Sequence, residues 1–410
     1  MSADALRQRA AALRDAGAEL RRRPASEVIE ALAAVLARWR DPDSPERRRL
    51  ESELPEHTGF HPEVVREGLA RGLAPWTPAA WRALAARELG PEPGPGAPLT
   101  AVLLAGSLPL PTLLGVLAPL ALRSPVLAKS ASRDPLTAGL VVESIAAVDS
   151  RLAACLAVIS FAHDDEEALR AFLEADCVVA TGSDETMDAV ATRLAPGRRL
   201  LRHGHGASLA LLGPEACDGA LLEASARGIA LDTALWDQHG CLSPRAVFVA
   251  ADTDACQRVA EALARALEEV SQELPRGAVP AAEGALTAHE RADAELRAAA
   301  GRGVALHAGP DWTVVGEADA APRAQPVSRF LRVHPTAEAN LERDLAPWGR
   351  VLAGVALAGF GARGAQIRSR LETLGATRVC EPGTLQAPPL DWPRDGLRPL
   401  ASLRAPEESD

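Results

Sequence analysis

The feature that most constrains the fold of this chain is a regular alternation of short apolar strands with helical segments from residue 100 onward. The predicted strands lie at 100–105, 126–129, 155–160, 176–180, 200–202 and 208–212. Because parallel strands need a long crossover connection, usually a helix, this order predicts a parallel sheet with helices on both faces. The stretch contains no G-x-G-x-x-G, so the usual dinucleotide-binding fingerprint is absent from it.

The rest of the chain is arranged around this sheet. Residues 1–98 are predicted to be a helical region that ends in a proline- and glycine-rich linker at 91–98. Residues 99–212 form a predicted α/β domain of a nucleotide-binding type, and residues 213–375 form a second predicted α/β domain. Residues 376–410 are predicted to be a tail that returns to the core and has an acidic end.

Charge and hydropathy exclude several classes of protein. The net charge is −11 and the pI is about 5.4, whereas proteins that bind nucleic acid or membrane surfaces are normally basic. The uncharged stretch 93–122 is long enough to cross a bilayer. However, Pro109, Pro111 and Pro119 interrupt it, so we predict a buried strand, a turn and a buried helix rather than a membrane span.

The cysteines and the N-terminus indicate the compartment. The six cysteines fit no zinc or disulfide framework, which predicts a reducing environment and no metal site. The first residues contain no apolar segment of signal-peptide length. A cytoplasmic protein is therefore expected.

Almost all of the basic residues in this chain are arginines rather than lysines. Lys129 is the one lysine of the chain, against 43 arginines, and the two side chains are not interchangeable where a compact charge must fit a tight site. Lys129 ends the predicted strand 126–129, at the edge where doubly wound sheets bind ligands. The residue is either a ligand-binding lysine or one retained by chance, and the pattern alone leaves both open.

The sharpest candidate for chemistry is the segment from Leu235 to Pro244, LWDQHGCLSP. Cys241 follows Gly240 on a predicted turn that leads into the strand 245–250. A cysteine presented in this way suits a thiolate nucleophile with backbone N–H groups beside it as an oxyanion site. A structural loop cysteine near a core is the alternative interpretation.

This segment and several others, in the same order along the chain, resemble conserved blocks of the bacterial LuxC-type long-chain fatty acyl-CoA reductases. These enzymes are a branch of the aldehyde dehydrogenase superfamily. The segment DQHGCLSP resembles the catalytic cysteine block of that family. The other similar blocks span nearly the whole chain: TGF at 58–60, LAGSLP at 104–109, LAKSASRDP at 127–135, ATGSDE at 180–185, HGHGAS at 203–208 and LDWPRDG at 390–396.

The resemblance implies an aldehyde-dehydrogenase-like fold with the active site in the cleft between two α/β domains. Residues 99–212 would be the cofactor-binding domain, and residues 213–375 the catalytic domain that contains Cys241. The resemblance further implies that Cys241 is the nucleophile and that Lys129 holds the cofactor. Ser132 lies where many NAD-preferring relatives have a glutamate that would repel a 2′-phosphate, which favours NADPH. Gly182 and Ser183, between a strand and a helix, are candidates for contacts to the pyrophosphate or the nicotinamide end.

Two positions depart from the superfamily pattern. Ser107 replaces the asparagine of the oxyanion hole, so more of the stabilisation must come from the N–H of Cys241. His203 lies where acid-forming members have the glutamate that activates water, and the loss of that glutamate suits a reductase. Solvated turn histidines at 203 and 205 remain the alternative interpretation.

The implied reaction is the NADPH-dependent reduction of a fatty acyl-CoA, or another acyl thioester, to the aldehyde through a cysteine acyl-enzyme. The resemblance also implies a homo-oligomer and an acyl-protein synthetase as a partner. Two alternatives are an acid-forming aldehyde dehydrogenase and a degenerate subunit that binds acyl groups without turnover.

Overall fold

The computed structural model describes residues 1–91 and 93–404. Residue 92 of the predicted linker and the acidic end of the tail therefore lie outside the described residues. The chain folds as two compact units. The first contains residues 1–58, 69–205 and the chain from 389, and the second contains residues 59–68 and 206–388.

The described residues up to 193 contain ten helices. They are α1 Ala3–Arg22, α2 Ala25–Arg40, α3 Pro45–Thr58, α4 Pro62–Leu73, α5 Pro78–Leu89, α6 Pro109–Ala121, α7 Thr137–Val148, α8 Ser150–Ala153, α9 Glu166–Phe172 and α10 Asp184–Arg193. Thr77 caps α5 by accepting from the N–H of Ala80. The helical region is tied to the sheet layer, because Trp39 Nε1 on α2 donates to Ser144 Oγ on α7 at 2.9 Å.

The first unit is built on a parallel sheet whose described strands run in the order β3-β2-β1-β4-β5. They are β1 Thr100–Leu103, β2 Val126–Lys129, β3 Leu156–Ile159, β4 Cys177–Thr181 and β5 Arg199–His203. Leu103 at the end of β1 pairs with Lys129 on one side and with Ala180 on the other. The predicted parallel α/β architecture is confirmed in this unit.

The uncharged stretch forms the predicted strand, turn and helix. β1 is buried throughout, the chain turns at Gly106 with φ +87°, and α6 buries most of its side chains. None of the helices in the described part of the chain is both long and apolar enough to cross a membrane.

The second unit contains a larger sheet with helices packed against it. Its described strands run in the order β12-β11-β6-β7-β10-β9-β8. Parallel pairing connects all of them except β8, which is antiparallel to β9. The strands are β6 Ala207–Leu212, β7 Pro244–Val249, β8 Ala305–Ala308, β9 Thr313–Gly316, β10 Phe330–Pro335, β11 Leu352–Ala358 and β12 Arg378–Cys380; the helices are α11 Gly219–Ala234, α12 Thr253–Glu273, α13 Ala281–Ala299, α14 Leu341–Leu345 and α15 Gly364–Thr373.

The division of the chain differs from the predicted boundaries at 98, 212 and 375. β6 pairs with β7 and β11, so the second unit begins before this strand, at 206, and not after it. An apolar strand carries no local signal of which sheet it joins. The tail is also divided, because β12 pairs with β11 whereas residues from 389 onward belong to the first unit.

Candidate active site

Cys241 lies on a tight turn between the short segment Leu235–Gln238 and β7. The turn is closed by the N–H of Ser243, which donates to Gly240 O at 3.0 Å. Ser208 Oγ, on the neighbouring strand β6, donates to the carbonyl oxygen of Cys241 at 2.8 Å. These bonds hold Cys241 on an ordered turn, and the residue is half-buried.

Two further contacts fix this turn. A Cβ at Gly206 would lie 3.1 Å from Cys241 Cβ, so a larger residue there would require Cys241 to shift by a few tenths of an ångström. Gln386, in the segment after β12, donates from Nε2 to Ser243 Oγ at 2.7 Å. The same segment is anchored to α11, because the N–H of Gly383 donates to Asp232 Oδ2 at 2.7 Å. Burial raises the pKa of Asp232 to about 7.

The other cysteines are poor thiolates. Burial raises the pKa of each of these thiols, in the case of Cys256 to about 12; the remaining four are Cys155, Cys177, Cys217 and Cys380. A nucleophilic cysteine needs an accessible thiol and positive charge nearby. Arg245 on β7 supplies such a charge, because its guanidinium interacts electrostatically with Cys241.

A carboxylate and an imidazole lie in the same part of the second unit. His239 Nε2 is 3.6 Å from Glu283 Oε2, and Glu283 Oε2 also accepts a hydrogen bond from Ser328 Oγ at 2.9 Å. Glu283 also interacts electrostatically with Arg245, more strongly than Cys241 does. Sequence analysis missed Glu283 because α13 was not predicted: the helix is rich in alanine and charge and has no stripe of large apolar residues.

Lys129 is buried at the end of β2, with only 9% of its surface exposed. Its Nζ lies over the ring of Phe161, 5.0 Å from the centroid. Burial lowers the pKa of Lys129, and no carboxylate of the described residues counteracts this shift. A buried cation without an anionic partner fits the phosphate group of a nucleotide cofactor.

The uncompensated charge leads to a stability prediction. Lys129→Met should raise the Tm of the ligand-free protein by about 2–4 °C, because it removes a buried charge and keeps an apolar chain of similar length. The folded-state pKa is lowered, so the unfavourable contribution of Lys129 is present at neutral pH and shrinks as the pH rises toward the ordinary lysine value. Thermal unfolding at pH 7 and pH 10 tests both points, with the exposed Arg202→Met as the control. A lower Tm at pH 7 would contradict the prediction.

Ser132 and the turn at Gly182 were both predicted to contact the cofactor. Ser132 is exposed just after β2. Gly182 does not offer a free donor, because its N–H bonds His203 O at 3.1 Å as part of the sheet. Ser183 caps α10 by accepting from the N–H of Thr186 at 3.3 Å. Asp184 lies in the first turn of α10, where its carboxylate would repel a pyrophosphate.

The two departures from the superfamily pattern have defined positions. Ser107 is buried, 3% exposed, on the turn between β1 and α6. His203 ends β5, and its Nδ1 lies 2.9 Å from Asp395 Oδ2. This pairing brings the predicted C-terminal block to the His203 position. A carboxylate at Nδ1 fixes the imidazole so that Nε2 is the nitrogen available for proton transfer.

The sheet order explains which of these residues share one edge of the first unit. β1, β2, β4 and β5 are parallel neighbours, so the residues at or after their carboxyl ends lie along the same edge. These are the predicted residues Ser107, Lys129, Ser132, Gly182, Ser183 and His203. Cys241, Arg245 and Glu283 belong to the second unit.

A glycine motif also lies outside the first sheet. The sequence GFGARG at 359–364 follows β11 and opens α15, which is the context of a dinucleotide-binding turn. However, a Cβ at Gly361 would lie 2.5 Å from Glu215 Oε1, and a carboxylate here repels a pyrophosphate. The motif instead lies where the turn after β11 packs closely against the turn after β6. The N–H of Gly213 donates to Ala358 O at 2.8 Å in this contact.

The fold is that of an aldehyde-dehydrogenase-like protein, as predicted. It matches the crystal structure of an NAD-dependent benzaldehyde dehydrogenase from Corynebacterium glutamicum with a TM-score of 0.69 and 14% identity, over 93% of this chain and 86% of that one. Residues 94–405 match the family described as acyl-CoA reductase (LuxC). The chain belongs to this family, and the resemblance inferred from its motifs is confirmed.

Two curated relatives share this similarity. The chain is 24% identical over 420 residues to a long-chain acyl-protein thioester reductase of Aliivibrio fischeri, covering 92% of this chain and 81% of the relative. It is 26% identical over 311 residues to long-chain acyl-protein thioester reductase 2 of Photobacterium leiognathi, covering 73% of this chain and 62% of that protein.

Proposed function

We propose that this protein reduces a long-chain fatty acyl thioester, acyl-CoA or acyl-protein, to the fatty aldehyde through an acyl-enzyme on Cys241, with NADPH as the cofactor. The observation that carries the proposal is the Cys241 turn in a LuxC-family chain. It holds a half-buried thiol near Arg245, whereas burial raises the pKa of the thiols at the five other cysteines.

The first half-reaction is acyl transfer to the enzyme. The Cys241 thiolate, favoured by Arg245, attacks the thioester carbonyl, and a new C–S bond forms. The old C–S bond breaks, and the departing thiolate takes a proton from solvent. Negative charge on the carbonyl oxygen would be stabilised mainly by the N–H of Cys241, with the hydroxyl of Ser107 as the shorter donor at the position where the superfamily has an asparagine.

The second half-reaction needs a cofactor site. Lys129 would hold a phosphate of NADPH, Ser132 would leave room for the 2′-phosphate, and the turn Gly182–Ser183 would contact the nicotinamide end. The cofactor, when bound, supplies the hydride that reduces the acyl group. The resulting hemithioacetal on Cys241 collapses, which releases the aldehyde and regenerates the thiolate.

The cofactor preference can be tested directly. The native enzyme should use NADPH in preference to NADH, because Lys129 is an unpaired buried cation and Ser132 carries no repelling charge. Lys129→Ala should reduce the ratio of kcat/KM for NADPH to that for NADH about tenfold, since one charged phosphate contact contributes roughly 1–2 kcal/mol. Initial rates with both cofactors measure this ratio.

A matched variant separates charge from packing. Lys129→Arg keeps the positive charge but not the compact shape, so it should retain part of the preference. Equal use of NADPH and NADH by the native enzyme would contradict the assignment of Lys129 and Ser132.

One observation favours a second candidate function, the oxidation of aldehydes to acids. The pair His203–Asp395 has the geometry of an imidazole oriented to act as a base. A base at the position of the missing glutamate would release the acyl group to water. If product analysis finds free acid as the main product, the protein is an acid-forming aldehyde dehydrogenase.

The partners are also part of the proposal. An acyl-protein synthetase that supplies the acyl group, and self-association into a homo-oligomer, are both implied by the family. Sedimentation of the purified protein at several concentrations tests self-association. Acyl transfer from a loaded synthetase to Cys241, compared with transfer from acyl-CoA, tests the donor.

A further inference from the structure

The backbone immediately before Cys241 has an unusual conformation. Trp236, Asp237 and Gln238 have φ values of 58°, 46° and 67°, all in the left-handed region that side chains other than glycine rarely adopt. Three such residues in succession persist only where the surroundings hold them. No glycine relieves this run, so the structure must stabilise it through side-chain contacts.

Asp237 provides the first anchor. Its Oδ1 accepts from Arg329 Nε at 2.9 Å, and its Oδ2 accepts from the N–H of Gly277 at 3.0 Å. Arg329 is fully buried and also donates to Leu274 O at 2.7 Å. The Asp237–Arg329 ion pair thus connects the left-handed run to the end of α12 and to the start of β10.

Gln238 provides the second anchor, and it is also fully buried. Its Nε2 donates to Pro244 O at 2.7 Å and to Phe330 O at 2.8 Å, while its Oε1 accepts from the N–H of Phe330 at 2.8 Å. One side chain therefore connects the first residues of β7 and β10. The loop between Gln238 and Pro244, which carries Cys241, is closed at its base by this side chain.

Trp236 provides the third anchor, against the segment of residues 59–68. Its ring contacts Phe60 edge to face, with the centroids 5.6 Å apart. A Cβ at Gly68 would overlap the indole ring, so the glycine makes the space that Trp236 occupies. This contact gives a structural reason for the TGF block at 58–60, which is far from Cys241 in sequence.

We propose that Asp237 and Gln238 are positioning residues, which hold the left-handed run and thereby set the orientation of the Cys241 thiol. The inference rests on the proposed role of Cys241 and adds a function for the residues before it. Neither residue needs to touch the substrate. Their effect is expected on the reactivity of the thiol and on kcat, with the KM for the acyl donor little changed.

The test compares two substitutions of similar size. Asp237→Asn removes the carboxylate charge and one of its two acceptor oxygens, and Gln238→Met removes the hydrogen bonds of the amide. The rate constant for alkylation of Cys241 by iodoacetamide is measured by mass spectrometry, alongside kcat, KM and Tm. Displacing a reacting group by about 1 Å costs up to about a hundredfold in rate. We therefore expect kcat and the alkylation rate to fall together by about tenfold or more.

The matched control is Glu290→Gln. Glu290 forms a buried ion pair with Arg332 in the same unit, at 2.5 Å, but does not contact the left-handed run. This variant should lose stability and keep the native alkylation rate. If an anchor variant fails to fold, Gln238→Gly replaces it, because glycine adopts a φ of 67° without strain while the anchor is still lost.

Native alkylation rates in the folded anchor variants would overturn the proposal and leave the two residues as structural only. This result is distinguishable from a failure of the proposed function. The alkylation measurement needs no turnover, whereas the role of Cys241 as nucleophile is tested by its own substitution.

Discussion

The Cys241→Ala variant is expected to lose turnover to the background level, which for a removed nucleophile is a loss of at least about 10⁴-fold. The physical reason is that no other thiol offers a replacement. Burial raises the pKa of each of the other five cysteines, and four of them are buried. The variant should still bind NADPH, since Lys129 is unchanged.

The control is Cys380→Ala, which removes the one other cysteine that is not fully buried. It should keep native turnover. Incubation with labelled acyl-CoA in the absence of NADPH should label native protein and Cys380→Ala through a thioester, and should leave Cys241→Ala unlabelled. An acyl group accepted and reduced by Cys241→Ala would show that the nucleophile has been assigned to the wrong residue.

The fate of the acyl-enzyme is the second large effect. Water and hydride compete for the same carbonyl carbon, and water attacks slowly unless a positioned base activates it, an effect of roughly 10²–10⁴-fold. We expect the native acyl-enzyme to hydrolyse slowly without NADPH. Introducing a glutamate at position 203 should increase this hydrolysis.

The structure determines how that substitution must be made. His203 Nδ1 lies 2.9 Å from Asp395 Oδ2, so a glutamate at 203 would face a like charge and be displaced or protonated. The informative variant is therefore His203→Glu combined with Asp395→Asn, with Asp395→Asn alone as the control. Release of labelled free acid from the isolated acyl-enzyme gives the rate. Unchanged hydrolysis in the double variant would argue against a water-activating role for this position.

Much of the framework follows from local sequence. Strand and helix alternation predicts the parallel sheet of the first unit, because crossover connections leave little choice of topology. Prolines in the uncharged stretch correctly indicate a strand, a turn and a helix. Glycine before Cys241 predicts a presented thiol, and the closed turn from Gly240 to Ser243 has this form.

Other features depend on contacts between distant residues, which no local pattern contains. β6 is as apolar as the strands of the first sheet, and only its partners β7 and β11 place it in the second. Glu283 lies on a helix without an apolar stripe. The left-handed run has no glycine to signal it, and its stability comes from Arg329 and Phe330, about ninety residues later in the chain.

The most direct test of the account is to follow NADPH oxidation with a series of acyl-CoA chain lengths and to identify the carbon product. The account predicts NADPH consumption that depends on a long acyl chain, with fatty aldehyde formed in equal amount. Rapid release of free acid without NADPH, or no acyl-dependent NADPH oxidation with any chain length or with an acyl-protein donor, would contradict it.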